Sequence, residues 1–280
     1  MSRSEGATHV GKLEHKVAFI SGGARGQGRS HAIRLAEEGA DIITFDICAQ
    51  IPSVPYEMST PDDLEQTRKE VEALGRRIVA EQADARDVDA VREVFTKGTS
   101  ELGPVDIVLA NAGIGIGGPE GLDHDWYDVI DVNLSGVWNT VRVAIPSMIE
   151  RGAGGSIVLT SSTGGLIGVA SNDSGMLAYT AAKHGVIGLM RSWANYLAPH
   201  FIRVNSVAPT AVNTPMAVND LMREALENNP GLANAWMNAI PVPMVEALDV
   251  SNAIAWLVSD DARYVTGTVV PVDAGMLNKR

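Results

Sequence analysis

Short apolar runs alternate with helix-compatible segments along almost the whole chain, a glycine-rich turn follows the first run, and no linker or repeat interrupts the alternation. Together these predict an α/β fold, one domain built on a doubly wound parallel sheet of about seven strands. Lys16 to Ser21 (KVAFIS) reads as the first strand, and Gly28 to Glu38 carries Ile33, Leu35 and Ala36 at helical spacing. Asp41 to Asp46 (DIITFD) is the next strand, followed by a helix over Pro61 to Leu74, the strand RIVAEQ, a helix over Val88 to Leu102 and the strand VDIVLA. In the second half come a helix around Trp138 to Ile149, the strand SIVLTS, a helix through Tyr179 to Leu197 and the strand IRVNSVA. A last helix near Val250 to Val258 leads into TGTVVPVDAG as the final strand. Strands this apolar on both faces suit a parallel sheet covered by helices.

Two segments break the rhythm. Asp46 to Leu64 holds three prolines and almost no periodicity, and Thr210 to Val245 is long and mixed. The expected organisation is a flexible tail over residues 1–15, then one dinucleotide-binding catalytic domain over 16–280 with an insertion at 48–60 and a substrate segment at 210–245.

The composition narrows the classes. A formal charge of −12 is spread along the chain, which favours solubility and disfavours nucleic acid as a partner. Cys48 is the single cysteine, so no intrachain disulfide framework exists, and the histidines show no zinc-type spacing. No structural metal is expected. The N-terminal segment is too polar for a signal peptide and no apolar run reaches the ~18 residues a membrane span needs. A cytoplasmic protein is the expectation.

SGGARGQG sets Gly22, Gly26 and Gly28 between the first strand and first helix, where backbone amides can approach a pyrophosphate at a helix N-terminus. The spacing is not the GxGxxG of the commonest fingerprint, and such a turn also serves plain helix–sheet packing. Asp46 adds weight: it closes the second strand about 20 residues on, where a carboxylate binds ribose hydroxyls in Rossmann-type domains. Arg25 inside the turn points the other way, toward the extra phosphate of NADP. A phosphate beside Asp46 would cost on the order of 4 kcal/mol at ~4 Å, so Asp46 decides for NAD.

AYTAAKHG puts Tyr179 and Lys183 one helical turn apart on the same face. A free phenol is a poor base near neutrality, and a neighbouring ammonium favours the phenolate, the arrangement a tyrosine acid/base needs. Ser162, after the strand SIVLTS, is placed to hydrogen-bond a carbonyl or alcohol oxygen. Tyr-x-x-x-Lys alone occurs on many exposed helices; its companions in order along the chain give it meaning.

The glycine turn, Asp46, ANAG at Ala110 to Gly113, DVNLSG around Asn133, the serine strand and YTAAK together resemble the short-chain dehydrogenase/reductase family from about Lys16 to Gly275. That resemblance implies a general acid/base at Tyr179, with Ser162 orienting the reacting oxygen. It also implies that Lys183 lowers the tyrosine pKa and binds the nicotinamide ribose, and that Asn133 holds a water for a proton relay. Gly22, Arg25, Gln27 and Gly28 would line the pyrophosphate turn, Asp84 and Ala85 would flank the adenine, and Asn111, Ala112 and Gly113 would run under the cofactor. Pro209, Val212 and Thr214 would meet the nicotinamide amide, with Thr210 in the same binding segment.

The chain departs from the broad family at several places. Ser21 stands where threonine is usual, ANAG replaces NNAG, Pro209-Thr210 replaces Pro-Gly, and Gln27 replaces a common aliphatic residue. Gly168 to Ala178 is also longer than usual, leaving Ser161 and Ser162 to be separated by the pattern that follows, which favours Ser162.

ARGQGRSHA, DICAQI, YTAAKHGVIGLMR and NSVAPTAVNTPM are similar to the mycofactocin-associated, carveol dehydrogenase-like branch. This implies NAD held tightly and reoxidised in place by mycofactocin, a hydrophobic secondary alcohol or ketone as substrate, and a homotetramer. Specificity is expected in Gly164 to Ala178 and in Met216 to Met244, including Leu221, Met222, Leu226, Trp236 and Met237. The alternatives are a freely exchanging NAD-dependent 3-oxoacyl or steroid-type reductase and, in another class, a non-catalytic NAD-binding regulator. For the Asp46–Leu64 loop the expectation is that Ile47 and Cys48 contact the adenine side while the remainder folds over the cofactor.

Overall fold

A computed structural model describes residues 11–115, 123–169, 171–228 and 236–279. Seven parallel strands stand in the order β3-β2-β1-β4-β5-β6-β7. They are β1 (Val17–Ser21), β2 (Asp41–Asp46), β3 (Ile78–Gln82), β4 (Ile107–Ala110), β5 (Gly155–Thr160), β6 (Ile202–Pro209) and β7 (Val269–Val272). The helices between them are α1 (Gly26–Glu37), α2 (Pro61–Ala73), α3 (Val88–Leu102), α4 (Asp123–Ile130), α5 (Val137–Arg151), α6 (Ser174–Leu197), α7 (Asp220–Asn228) and α8 (Ala247–Val258). The Rossmann-type expectation holds.

Alternate strand residues divide the core into two layers. Ala18, Ile20 and Ile42 pack beneath α1, α2 and α8, with Leu35, Val71 and Ile254. Phe19, Ile43 and Phe45 pack beneath α3, α5 and α6, with Val94, Val141 and Met190. Both faces of the central strands are therefore apolar for a physical reason, and the period-2 alternation of a half-exposed strand is absent there.

Strand order reverses between β1 and β4, which pair directly, Ile20 opposite Leu109. At such a switch point the loops leaving the carboxyl ends of the strands diverge and leave a crevice. The glycine turn after β1 and the Asn111–Gly113 segment after β4 flank that crevice.

Two boundaries differ from expectation. Of the predicted tail, residues 1–10 lie outside the described residues, while residues 11–15 belong to the fold. Leu13 is 2% exposed and joins the core beneath α1, and its N–H donates to the Glu38 carbonyl at 2.8 Å. A single leucine among polar neighbours carries no periodic signal. The helix expected from Tyr179 begins at Ser174, because Asp173 caps it, accepting from the Met176 N–H at 2.8 Å. The long Gly164–Ala178 loop thus contains the first turn of α6.

Candidate active site

Two cavities meet at the carboxyl end of the sheet. The first is a cleft over the glycine turn. Glycine is required there sterically: a Cβ on Gly28 would fall 1.9 Å from the Gly22 carbonyl oxygen, and Gly22 itself has φ +74 and lies against Ala112. Gly22, Gln27 and Gly28 from the turn, and Asn111, Ala112 and Gly113 from β4's exit, line this cleft. Asp46, Ile47, Asp84 and Ala85 line its other end. Asp46 takes the Ala24 N–H on Oδ2 at 2.9 Å and the Ser59 hydroxyl on Oδ1 at 2.6 Å, so its carboxylate is held at the strand tip with lone pairs remaining for ribose hydroxyls.

Cys48 is not in this lining. The chain turns at Cys48 with φ +47 and sends the thiol into the core cluster with Leu64 and Val71. Burial, with the Asp46 carboxylate nearby, pushes the thiol up to about 12, and this side chain belongs to the core instead of the cleft lining where it was expected.

The segment after β2 is a strap across the cleft. Arg25 Nη2 donates to the Glu57 carbonyl at 2.5 Å, and the Tyr56 hydroxyl accepts the Gly115 N–H at 3.1 Å. Ser53 donates to Asp128 at 2.6 Å. Ile51 and Val54 are buried with Ile114, Val129 and Val132 in a small apolar cluster of their own. The strap therefore reaches from the β2 tip, over the glycine turn, to the far wall beyond β4. Arg25, the residue that favoured NADP on charge, is turned onto this strap.

The second cavity, about 580 Å³, opens beside the first. Ser162, Tyr179 and Lys183 form part of its floor, and Ile167, Val169, Met176, Leu221, Met222 and Trp236 part of its walls. Pro209, Thr210 and Val212 line it from the end of β6, and Thr214 lines both cavities. A bridge between Val212 and Val245 ties the two ends of the expected substrate segment together. Leu226 and Met237 are outside the lining, and Met237 is exposed.

Tyr179 and Lys183 stand on the first turns of α6, with the Lys183 Nζ 5.6 Å from the tyrosine ring centroid. Lys183 is 3% exposed and its Nζ donates to the Thr160 carbonyl at 2.9 Å. Burial drives this ammonium down to about 8. Burial also raises the Tyr179 phenol, while the Ser162 hydroxyl acts in the opposite sense by favouring the phenolate. The direction is thus opposite to the lowering expected from a lysine neighbour: burial outweighs the Ser162 hydrogen bond. A Cβ on Gly164 would lie 3.6 Å from Ser162 Oγ and from the Tyr179 ring, which shows how closely that turn packs the two together.

The neighbouring serine does something else. Ser161 is buried and donates to the Lys183 carbonyl at 2.9 Å, so it secures α6 to β5. Asn133 is fully buried in a π-helical turn, Asp131–Gly136, between α4 and α5. Its carboxamide pairs both ways with the Ile114 backbone, each bond 2.8 Å. The side chain of Asn133, the residue expected to hold a water, thus clamps the wall of the cleft, and inserted π turns often stand at functional sites. Tyr56 and Ser59 line the cleft without having been singled out in the sequence, and Met216, the first residue of the expected specificity segment, lines it too. An aromatic residue in an irregular, proline-rich loop was the only local sign of Tyr56.

A dinucleotide cleft running into an apolar cavity over a tyrosine, a lysine and a serine defines an oxidoreductase that works on an alcohol or carbonyl carbon. A family model described as enoyl-(acyl carrier protein) reductase matches residues 22–277. The (−)-trans-carveol dehydrogenase of Rhodococcus erythropolis is 49% identical over 95% of this chain and 99% of its own. The crystal structure of carveol dehydrogenase from Mycobacterium avium in complex with NAD aligns with a TM-score of 0.90 at 49% identity, covering 96% of this chain and 100% of that one. Levodione reductase aligns at 0.82 and 32% identity over 96% of this chain and 100% of its own. The chain belongs to the short-chain dehydrogenase/reductase family.

Proposed function

We propose that the protein is an NAD-dependent dehydrogenase of hydrophobic secondary alcohols, carveol-like terpenoids among them, and that it works with NAD held under the strap. The observation that carries this reading is the junction itself, where Tyr179, Lys183 and Ser162 face a largely apolar cavity beside the dinucleotide cleft. The NAD-bound relative and the carveol dehydrogenases support both halves of it. The sterically required glycines, the Asp46 carboxylate and an orphaned buried oxygen on Gln27 fit a dinucleotide.

Bound NAD supplies a hydride acceptor for the alcohol carbon. Tyr179 takes the hydroxyl proton during oxidation and returns one during reduction; its raised pKa suits it as the acid of the reductive direction near neutrality. Ser162 orients the substrate oxygen toward the phenol. Lys183 holds the nicotinamide ribose and supplies positive charge below the phenol, and a proton relay to solvent passes by Asn133. Pro209, Thr210, Val212 and Thr214 hold the nicotinamide end, and Asp84 and Ala85 the adenine end.

Three strap contacts, Arg25 to Glu57, Tyr56 to Gly115 and Ser59 to Asp46, support slow cofactor exchange. A held cofactor needs an electron acceptor that comes to it, and a small redox carrier of the mycofactocin type fills that role. The working form is a homotetramer in the cytoplasm; among the described residues no helix is long and apolar enough to cross a membrane.

The test is to denature the freshly purified protein and quantify released nucleotide, then supply carveol and an artificial electron acceptor without added NAD. Near-stoichiometric NAD and turnover are expected. Empty protein that turns over only with free NAD would remove the held-cofactor reading and leave the dehydrogenase.

A further inference from the structure

Five side-chain polar atoms among the described residues are buried without a hydrogen-bond partner: Gln27 Oε1, His31 Nε2, Arg142 Nε, Arg151 Nε and Thr180 Oγ1. Of these residues Gln27 alone lines the two cavities described above, and it lines both. Burying an acceptor with nothing to accept is costly, so such a group in a binding cleft marks the place where a ligand brings the donor. The cost is also avoidable here. An aliphatic side chain is common at this position in the family the sequence resembles, and it would leave no polar atom to satisfy.

The chemistry of the orphan narrows its partner. An amide oxygen accepts and cannot serve the pyrophosphate, whose oxygens also accept; backbone amides of the glycine turn do that work. A dinucleotide offers three kinds of donor: the adenine amine, ribose hydroxyls and the nicotinamide carboxamide. The adenine end belongs with Asp84 and Ala85, which line only the first cleft. Gln27 is at the other end, where Asn111, Gly113 and Thr214 also line both cavities. Tyr179 and Lys183 line the second cavity there, and Lys183 is the group given to the ribose. The carboxamide NH2 carries two N–H donors, and the segment Pro209 to Thr214 that meets the amide need take only one, which leaves the other for Gln27.

We propose that Gln27 Oε1 accepts a hydrogen bond from the carboxamide NH2 of the nicotinamide, making Gln27 a positioning residue that holds the ring in one orientation beside the substrate cavity. This rests on NAD as the cofactor. It adds a side-chain reader of the nicotinamide amide to a residue otherwise counted with the pyrophosphate turn.

The test uses 3-acetylpyridine adenine dinucleotide, which keeps both riboses and the pyrophosphate but has a methyl ketone in place of the carboxamide. Protein is equilibrated with equal concentrations of NAD and the analogue until the bound ratio is constant, freed of unbound nucleotide and denatured, and the released nucleotides are quantified. A site built around a donor discriminates strongly against a ligand that lacks it. Wild type should favour NAD by roughly tenfold or more, Gln27→Met should bring the ratio to within about threefold of unity, and Gln27→Glu, which keeps an acceptor, should restore the preference. An unchanged ratio in Gln27→Met, or equal retention by wild type, would overturn the proposal while leaving NAD as the cofactor. Protein that takes up neither nucleotide would defeat the NAD reading and this inference together. A lower melting temperature with the ratio intact would mark Gln27 as a packing residue only.

Discussion

Ser161 and Ser162 are adjacent and chemically identical, yet the structure gives them different work. Both line the cavity, but Ser162 faces the Tyr179 phenol, while Ser161 is buried and donates to the Lys183 carbonyl. Ser162→Ala should lower kcat by ~10²–10³, the scale for losing one donor at a reacting oxygen. Ser161→Ala should instead cost ~1 kcal/mol of unfolding free energy, measured by denaturant titration, with kcat little changed.

Lys183 gives a pH test. Its folded pKa of about 8 lies below the ordinary 10.5, so the unfolded chain binds more protons between these values and stability rises with pH across that window. Below pH 8 the buried ammonium is a constant penalty. The unfolding free energy of wild type relative to Lys183→Met should therefore climb from pH 8 upward, and a flat difference would refute the depressed pKa. Asp46→Asn should shift the NADP-to-NAD affinity ratio by ~tenfold or more toward NADP, measured by titration, because it removes the charge that repels the extra phosphate.

Among elements, the strap was half legible. Three prolines and missing periodicity place a long irregular segment after β2, and its departure from Asp46 places it near the ribose site. Its route was not legible, because it depends on pairs far apart in sequence: Tyr56 with Gly115, Ser53 with Asp128, Arg25 with Glu57. Cys48 was misplaced for a related reason: one backbone turn with positive φ decides whether its thiol meets the cleft or the core. Helix α6 shows the same limit, since the cap at Asp173 extends it N-terminal to its apolar pattern. Tyr56→Phe removes the strap's bond to Gly115 and should speed NAD dissociation about fivefold, the scale of one neutral hydrogen bond. Deleting residues 50–58 should speed it much further. An off-rate unchanged in both would return the strap to a surface insertion.

At the scale of the molecule, the parallel sheet followed from apolar runs separated by helices, and the cleft followed from where strand order turns. These features repeat along the chain, so single errors cancel. The site was legible as residue types in order: Gly22, Asp46, Asn111, Ser162, Tyr179 and Lys183 all line the two adjoining cavities. What order cannot convey is the electrostatic balance inside. The same packing that brings Tyr179 and Lys183 together dries them, raising one pKa and lowering the other. The measurement that tests the whole account most directly is a single turnover: carveol added to freshly purified protein with no nucleotide supplied, followed by the near-ultraviolet absorbance of NADH. The account predicts a burst close to one equivalent per chain in wild type and none in Tyr179→Phe. A Tyr179→Phe burst as fast as wild type would contradict it, as would no NADH from wild type even after NAD is added.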